Sequence, residues 1–263
     1  MENYIVSARK YRPDTFESVV AQKSLTTTLK NAIHSGRLAH AFLFCGPRGV
    51  GKTTCARIFA KTINCTNPTE NGEPCNQCES CQSFNQQRSY SIYELDAASN
   101  NSVDDIRSLN EQVRVPPQVG KYKVYIIDEV HMLSSGAFNA LLKTLEEPPS
   151  YAVFLLLCNA KEGVLQTVRS RCQTLTMSPL REDLMEDYFR RTYGTYGEKE
   201  QAAVALSAGF LGRALTLYEN GGGETAKACR QLEEALLKGD TAQVFRILSF
   251  EERGELAAFH GAF

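Results

Sequence analysis

The sequence carries almost no net charge: 29 basic side chains face 30 acidic ones over 263 residues, which leaves −1. That balance excludes a global basic field able to hold nucleic acid, so any such contact has to come from a local patch or an assembly. Arg114, Lys121 and Lys123 are local candidates, with solvated surface charge as the default alternative. Long hydrophobic runs are also missing. The longest unbroken one, Tyr151 to Cys158, is far too short to cross a bilayer. The opening residues, Met1 to Lys10, lack the apolar stretch of a signal peptide. The expectation is a soluble, cytoplasmic protein with no membrane partner. No internal repeat is found, and the one low-complexity tract is Gly221-Gly222-Gly223, a break between segments.

A disulfide framework is excluded on similar grounds. The nine cysteines are an odd number without a secretion signal, which favours thiols and a metal. Cys45, Cys55, Cys158, Cys172 and Cys229 are scattered through apolar or helical runs, where cysteine packs as a small hydrophobe. Cys65, Cys75, Cys78 and Cys81 instead cluster in a polar stretch, Thr66 to Gln87, that has little apolar periodicity. Four thiolates suit tetrahedral Zn²⁺ and leave no open position, so the site would be structural. The metal would supply folding energy that this segment lacks. An iron–sulfur cluster is the alternative, but its familiar spacings are not matched.

What is present centres on Gly46-Pro47-Arg48-Gly49-Val50-Gly51-Lys52-Thr53-Thr54. An apolar run, Ala41 to Cys45, precedes it and a helix-forming run follows. Strand, glycine-rich turn and helix together make GxxxxGK[ST] a phosphate-binding loop. Its backbone N–H groups form a nest for anionic oxygens, helped by the positive end of the helix. Lys52 would reach the β- and γ-phosphates of ATP, and Thr53 would offer its hydroxyl to Mg²⁺. A turn whose lysine merely meets solvent is the bland alternative. A second signature, Asp128-Glu129-Val130-His131, closes the apolar run Lys123 to Asp128. Ligands of open α/β folds sit at the carboxyl edge of the sheet. Asp128 could hold Mg²⁺ there, with Glu129 as general base toward water, although an acidic strand cap would look the same.

Strand candidates at Ile92 to Asp96, Lys123 to Asp128 and Ala152 to Cys158 alternate with helical stripes. One stripe, Val103, Ile106, Leu109 and Val113, starts at a capping box formed by Ser102 and Asp105. Another runs through Phe138, Leu141, Leu142 and Leu145 to Pro148-Pro149. The pattern predicts an α/β fold with a parallel sheet to about Met177. Beyond Ser178 the strand signal ends, and Leu184 to Arg191, Glu198 to Ser207 and Gly212 to Glu219 predict three short helices. Two further helices are expected over Thr225 to Lys238 and Thr241 to Leu248.

These motifs resemble the AAA+ ATPases of clamp loaders, and among them the gamma/tau subunits of bacterial DNA polymerase III. The likeness is dense through Ala8 to Pro13, the phosphate loop, the four cysteines, Asp96 to Ser99, Ile127 to Leu133 and Phe138 to Pro149. It implies an AAA+ domain over 1–178 with a zinc-binding insertion at 65–81, a helical lid over 179–220 and a shortened collar segment over 224–263. By that likeness Ala8 and Arg12 of the N-terminal arm would lie near the adenine. Asn159 would be the sensor-1 residue, Arg213 sensor 2, and Arg171 an arginine finger acting on the neighbouring subunit's ATP. Several features depart from gamma/tau, among them Ala21 where a glycine is expected before the glutamine, and a shortened lid. Leu157-Cys158-Asn159 replaces Ala-Thr-Thr, and the segment from Gly209 to Leu215 looks closer to delta-prime subunits.

The function so implied is an ATP-driven subunit of the DNA polymerase III clamp loader, placing the sliding clamp on primer–template DNA. It would be an ATPase within the DNA-directed DNA polymerase III holoenzyme, a nucleotidyltransferase, assembled with other loader subunits in a hetero-oligomeric ring. The alternative is a non-hydrolysing, delta-prime-like scaffold that delivers Arg171 to a neighbour. A helicase, suggested by the likeness of Asp128 to His131 to a DExH box, would need a second RecA-like lobe that the length does not accommodate.

Overall fold

The computed structural model describes residues 13–19, 22–219, 231, 232 and 234–241. The chain divides into two compact units, Met1–Ser178 and Pro179–Phe263. The first is built on a five-stranded parallel sheet in the order β2-β3-β4-β1-β5. Its strands are β1 (Ala41–Cys45), β2 (Ile92–Asp96), β3 (Lys123–Asp128), β4 (Ala152–Cys158) and β5 (Gln173–Thr176). Its helices are α1 (Lys23–His34), α2 (Lys52–Asn64), α3 (Glu79–Asn85), α4 (Val103–Val113), α5 (Ser135–Glu146) and α6 (Gln166–Arg169).

Parallel strands need crossovers that cover the sheet, so central strands are apolar on both faces. All seven residues of β4 are buried accordingly. Ala152, Phe154, Leu156 and Cys158 pack with α4 and α5, while Val153, Leu155 and Leu157 pack with α1 and α2. Rings of Tyr93, Tyr125 and Phe154 stack across β2, β3 and β4 with centroids 5.3 and 5.5 Å apart. The scattered cysteines Cys45, Cys55 and Cys158 are buried in this core. Cys172 is half-buried, and Cys229 lies outside the described residues. Burial pushes the Cys55 thiol up to about 12, which keeps it protonated and inert.

Ser102 caps α4 as expected: its hydroxyl accepts from the Asp105 N–H, and the Asp105 carboxylate accepts from the Ser102 N–H. At the other end of α4 the structure corrects one expectation. Lys123 is buried, and its ammonium donates to Gln112 O and Val115 O at 2.6 and 2.9 Å. It closes a helix C-terminus, where a cation is favoured, and is not available to DNA.

The second unit contains α7 (Glu182–Tyr193), α8 (Glu198–Leu206) and α9 (Leu211–Glu219). Met185, Phe189, Val204 and Ala214 form its small core, ringed by Tyr188, Tyr196 and Tyr218. Glu200 caps α8 by accepting from the Gly197 N–H at 2.8 Å. The two expected helices beyond Gly223 fall mostly outside the described residues, although 231, 232 and 234–238 are helical. Among the described residues, no helix is long and apolar enough to cross a membrane.

Replacing Ser102 by alanine removes the acceptor for the Asp105 amide. The expected outcome is a loss of about 1 kcal/mol in urea unfolding, with the sheet spectrum unchanged.

Candidate nucleotide site and four-cysteine centre

The carboxyl ends of β1, β3 and β4 bring the two signatures together. Gly46 leaves β1 with its N–H donating to Cys158 O at 3.1 Å, so the loop starts in register with the end of β4. A Cβ on Gly46 would stand 2.2 Å from Met177 O, so only glycine fits there. Gly49 and Gly51 have φ of +85° and +94°, the left-handed conformations that turn the loop back toward α2.

Lys52 begins α2 and is 7 % exposed. Its ammonium donates to Gly46 O, Pro47 O and Asn159 Oδ1 at 2.6, 2.9 and 3.1 Å, which engages all three of its protons. Burial lowers its pKa, and the nearby carboxylates of Glu129 and Asp128 oppose that shift. Thr53 donates its hydroxyl to Asp128 Oδ2 at 2.8 Å. Asp128 Oδ1 accepts from the Glu129 N–H at 2.9 Å. Glu129 itself sits at φ +49°, a strained conformation of the kind found at functional positions. That turn aims its carboxylate at Arg48 Nε and Asn159 Nδ2, both 3.1 Å away. Arg48, Glu129, Asn159 and Lys52 thus form one polar chain across the loop. Val50 and Thr54 are half-buried in the loop and the first turn of α2.

The four clustered cysteines also converge. The sulfurs of Cys65, Cys75, Cys78 and Cys81 all lie within 4.8 Å of one another, with Cys65 to Cys75 at 3.4 Å and Cys65 to Cys78 at 3.9 Å. Four sulfurs about 2.3 Å from a tetrahedral metal stand about 3.8 Å apart, whereas a disulfide needs about 2.05 Å. Backbone N–H groups of Gln77 and Cys78 point at Cys75 Sγ, and that of Cys75 at Cys65 Sγ, which stabilises thiolates. Burial opposes ionisation of Cys78, yet the N–H donors of Thr66 and Cys81 bring it down to about 6. This is a donor set shaped for a soft tetrahedral ion.

Comparison with known proteins places the chain. The family model described as DNA polymerase III, delta subunit matches residues 21–181. The chain belongs to that family. It is 50 % identical over 171 residues to the DNA polymerase III subunit tau of Bacillus subtilis, covering 65 % of this chain and 30 % of that one. It is 38 % identical over 222 residues to the subunit gamma of Buchnera aphidicola, covering 82 % and 60 %. The gamma/tau likeness is therefore borne out, and the chain spans less than two thirds of the length of these relatives. Among solved structures, a gamma subunit-related protein of Thermotoga maritima aligns with TM-score 0.53 at 20 % identity, covering 85 % of this chain and 76 % of that one. The RuvB protein of the same organism aligns with TM-score 0.53 at 19 % identity, covering 91 % and 72 %. At that identity they speak for the fold, an α/β P-loop ATPase fold of the AAA+ type.

In this DNA polymerase III family member, Asn159 lies directly after β4 and bridges Lys52 and Glu129. Arg171 follows α6, where its guanidinium donates to Thr167 O and to Glu146 Oε1, both at 2.7 Å. Those partners belong to α6 and α5, not to the phosphate loop. Arg213 is half-buried on α9 of the second unit. Ala8 and Arg12 lie outside the described residues. Nothing in the residues signals that Met177 backs Gly46, because a close approach leaves a glycine but no mark on its neighbour. The pairing of Arg48 with Glu129, 81 positions apart, was equally silent.

Gly46→Ala is expected to destabilise the first unit by about 1–3 kcal/mol through overpacking against Met177. Gly212→Ala, where a Cβ meets nothing within 4 Å, is expected to leave stability unchanged or raise it by up to about 1 kcal/mol. Urea unfolding of the two variants checks the contrast.

Proposed function

We propose that the chain is an ATP-binding and ATP-hydrolysing subunit of the DNA polymerase III clamp loader, acting in the cytoplasm with other loader subunits, the sliding clamp and primer–template DNA. The observation that carries this is the joining of Lys52, Asn159, Glu129, Asp128 and Thr53 at one sheet edge, in a chain of this family. Gly46 to Thr53 would wrap the triphosphate with backbone N–H groups, and Lys52 would neutralise its outer phosphates. Glu129 is held by Arg48 and Asn159, so it is oriented to take the proton of an attacking water. Thr53 Oγ1 and Asp128 Oδ2, 2.8 Å apart, are spaced as neighbouring ligands of an octahedral ion with bonds of about 2.1 Å. They would hold Mg²⁺, whose charge would offset that of the phosphates.

Arg171 would complete the site of the neighbouring subunit, consistent with its exposed position and partners remote from its own loop. Arg213 would contact nucleotide from a lid over 179–220, and Ala8 and Arg12 would lie near the adenine. Residues 224–263 would contribute to a collar. Cys65, Cys75, Cys78 and Cys81 would hold a structural Zn²⁺, for which their spacing and amide contacts are suited. A non-hydrolysing scaffold is the alternative. The connected Lys52, Asp128 and Glu129 network speaks against it, since a scaffold has no use for an oriented base.

The test is hydrolysis in reconstituted loader. Lys52→Ala and Arg171→Ala chains should each be nearly inactive alone, because a finger contributes about 10³–10⁵ in rate. Their mixture should regain activity where an intact site meets an intact finger. Equal activity of the mixture and the single variants rejects action in trans. Lack of single-turnover hydrolysis with every other site disabled supports the scaffold.

A further inference from the structure

In the first unit, a buried carboxylate takes no part in the nucleotide site described above. Glu73 lies between Cys65 and Cys75 and is 6 % exposed. Within 66–77, only Gly72, Glu73 and Pro74 are buried. The side-chain partners of Glu73 all lie outside the cysteine segment. Oε2 accepts from the Phe16 N–H at 2.7 Å, and Oε1 accepts from the Glu17 N–H at 3.1 Å and from the Lys30 ammonium at 2.7 Å. Charge-assisted hydrogen bonds of this kind are the strong ones.

The segment is shaped to present that carboxylate. Thr69 closes the loop behind it, its N–H donating to Glu73 O and its hydroxyl accepting from the Glu73 N–H. Gly72, at φ +70°, passes so close to His34 that a Cβ would stand 2.7 Å from the ring. A second link runs parallel to the first. Lys61, 3 % exposed, donates to Asn76 of the segment at 2.6 Å and lies 3.7 Å from Asp14. Both links grip residues 13–19, and Phe16 is itself buried against Leu25 and Leu29. A few residues on, Gln22 donates to Ser178 O, next to the Met177 carbonyl that backs Gly46.

We propose that Glu73 is a positioning residue that clasps residues 13–19 to the four-cysteine segment, so that the metal held by the cysteines governs both the order of this stretch, called the arm below, and the affinity of the phosphate loop for nucleotide. The clasp stands on its own contacts, while its effect on affinity rests on the nucleotide and zinc assignments proposed above. An unligated cysteine segment has little apolar surface to hold Glu73 in place. Without Glu73 the amides of Phe16 and Glu17 lose their acceptors, and the stretch that precedes the Gln22 contact with Ser178 is released.

The experiment compares the full chain, Glu73→Gln and Lys30→Met for zinc content, amide hydrogen exchange over residues 13–19, and Mg-ATP binding. Glu73→Gln is expected to keep one zinc per chain, to exchange the Phe16 and Glu17 amides about tenfold faster, and to bind Mg-ATP about fivefold more weakly or worse. Removing zinc from the unaltered chain with a chelator should reproduce the last two effects. Lys30→Met keeps both amide acceptors and should show the same changes to a smaller degree, which covers the case in which Glu73→Gln does not fold. Unchanged exchange at Phe16 and Glu17 in Glu73→Gln, or after zinc removal, overturns the clasp. A freed arm with unaltered Mg-ATP affinity overturns its reach to the loop. An unaltered chain that binds no Mg-ATP refutes the nucleotide assignment instead, and leaves the exchange result to judge the clasp alone.

Discussion

The parallel register of β1 with β4 is the constraint on which the site depends. Cys45 pairs with Cys158, so both strands end at one level. The ladder then continues one step further: the Gly46 N–H reaches Cys158 O, and the Met177 N–H reaches Cys45 O. Those bonds fix where the phosphate loop starts and put Asn159 within reach of Lys52. On the far side, Ile127 of β3 pairs with Leu156 of β4, which brings Asp128 to the same edge opposite Thr53. Each residue of a parallel strand advances about 3.3 Å, so a slip of one pair would break every one of these contacts. Burial of all seven β4 side chains on two faces is what pins the register.

Charge follows the same economy of placement. The chain as a whole is nearly neutral, yet its edge gathers an ammonium, two carboxylates and a guanidinium. Burying an ammonium is unfavourable unless its protons are bound, and Lys52 meets that condition with two loop carbonyls and one side-chain amide. Glu129 adopts a left-handed conformation that a non-glycine residue takes only under constraint. Arg48 and Asn159 each meet one of its carboxylate oxygens. Strain at Glu129 and burial of the Lys52 ammonium thus meet at the same sheet edge.

Much of this was legible in the residues. The phosphate loop, the acidic strand end and the cysteine cluster are local in sequence, and β4 announces itself by an unbroken apolar run. The capping box at Ser102 is a four-residue pattern and needs no tertiary help. Two elements were not legible, for physical reasons. β5 is an edge strand in which only Leu175 is buried, so Gln173, Thr174 and Thr176 hide it. α3 is too short to show a stripe and owes its place to Cys81 and Phe84, one a member of the cysteine cluster and the other packed beneath Arg57. Lys123 misled for a related reason: a lysine that ends a helix and one that faces solvent look alike until the partner carbonyls are known.

Glu73 shows most clearly why a contact between distant segments escapes a linear pattern and still dominates a structure. Gly72 and Pro74 are buried beside it, but residues 66–71 before them are exposed, and nothing in this short run foretells the burial of a carboxylate. A carboxylate hidden from water is tolerable only while its partners remain, since loss of either side leaves an uncompensated buried charge. Its partners are two backbone amides and a lysine on other segments, so neither the cysteine loop nor residues 13–19 can rearrange without cost to the other. Such dependence is mutual by thermodynamic necessity. Whatever orders the arm strengthens the cysteine loop by the same factor as the loop orders the arm, and the polar insertion is thereby part of the first unit's cooperative structure despite its sparse apolar surface.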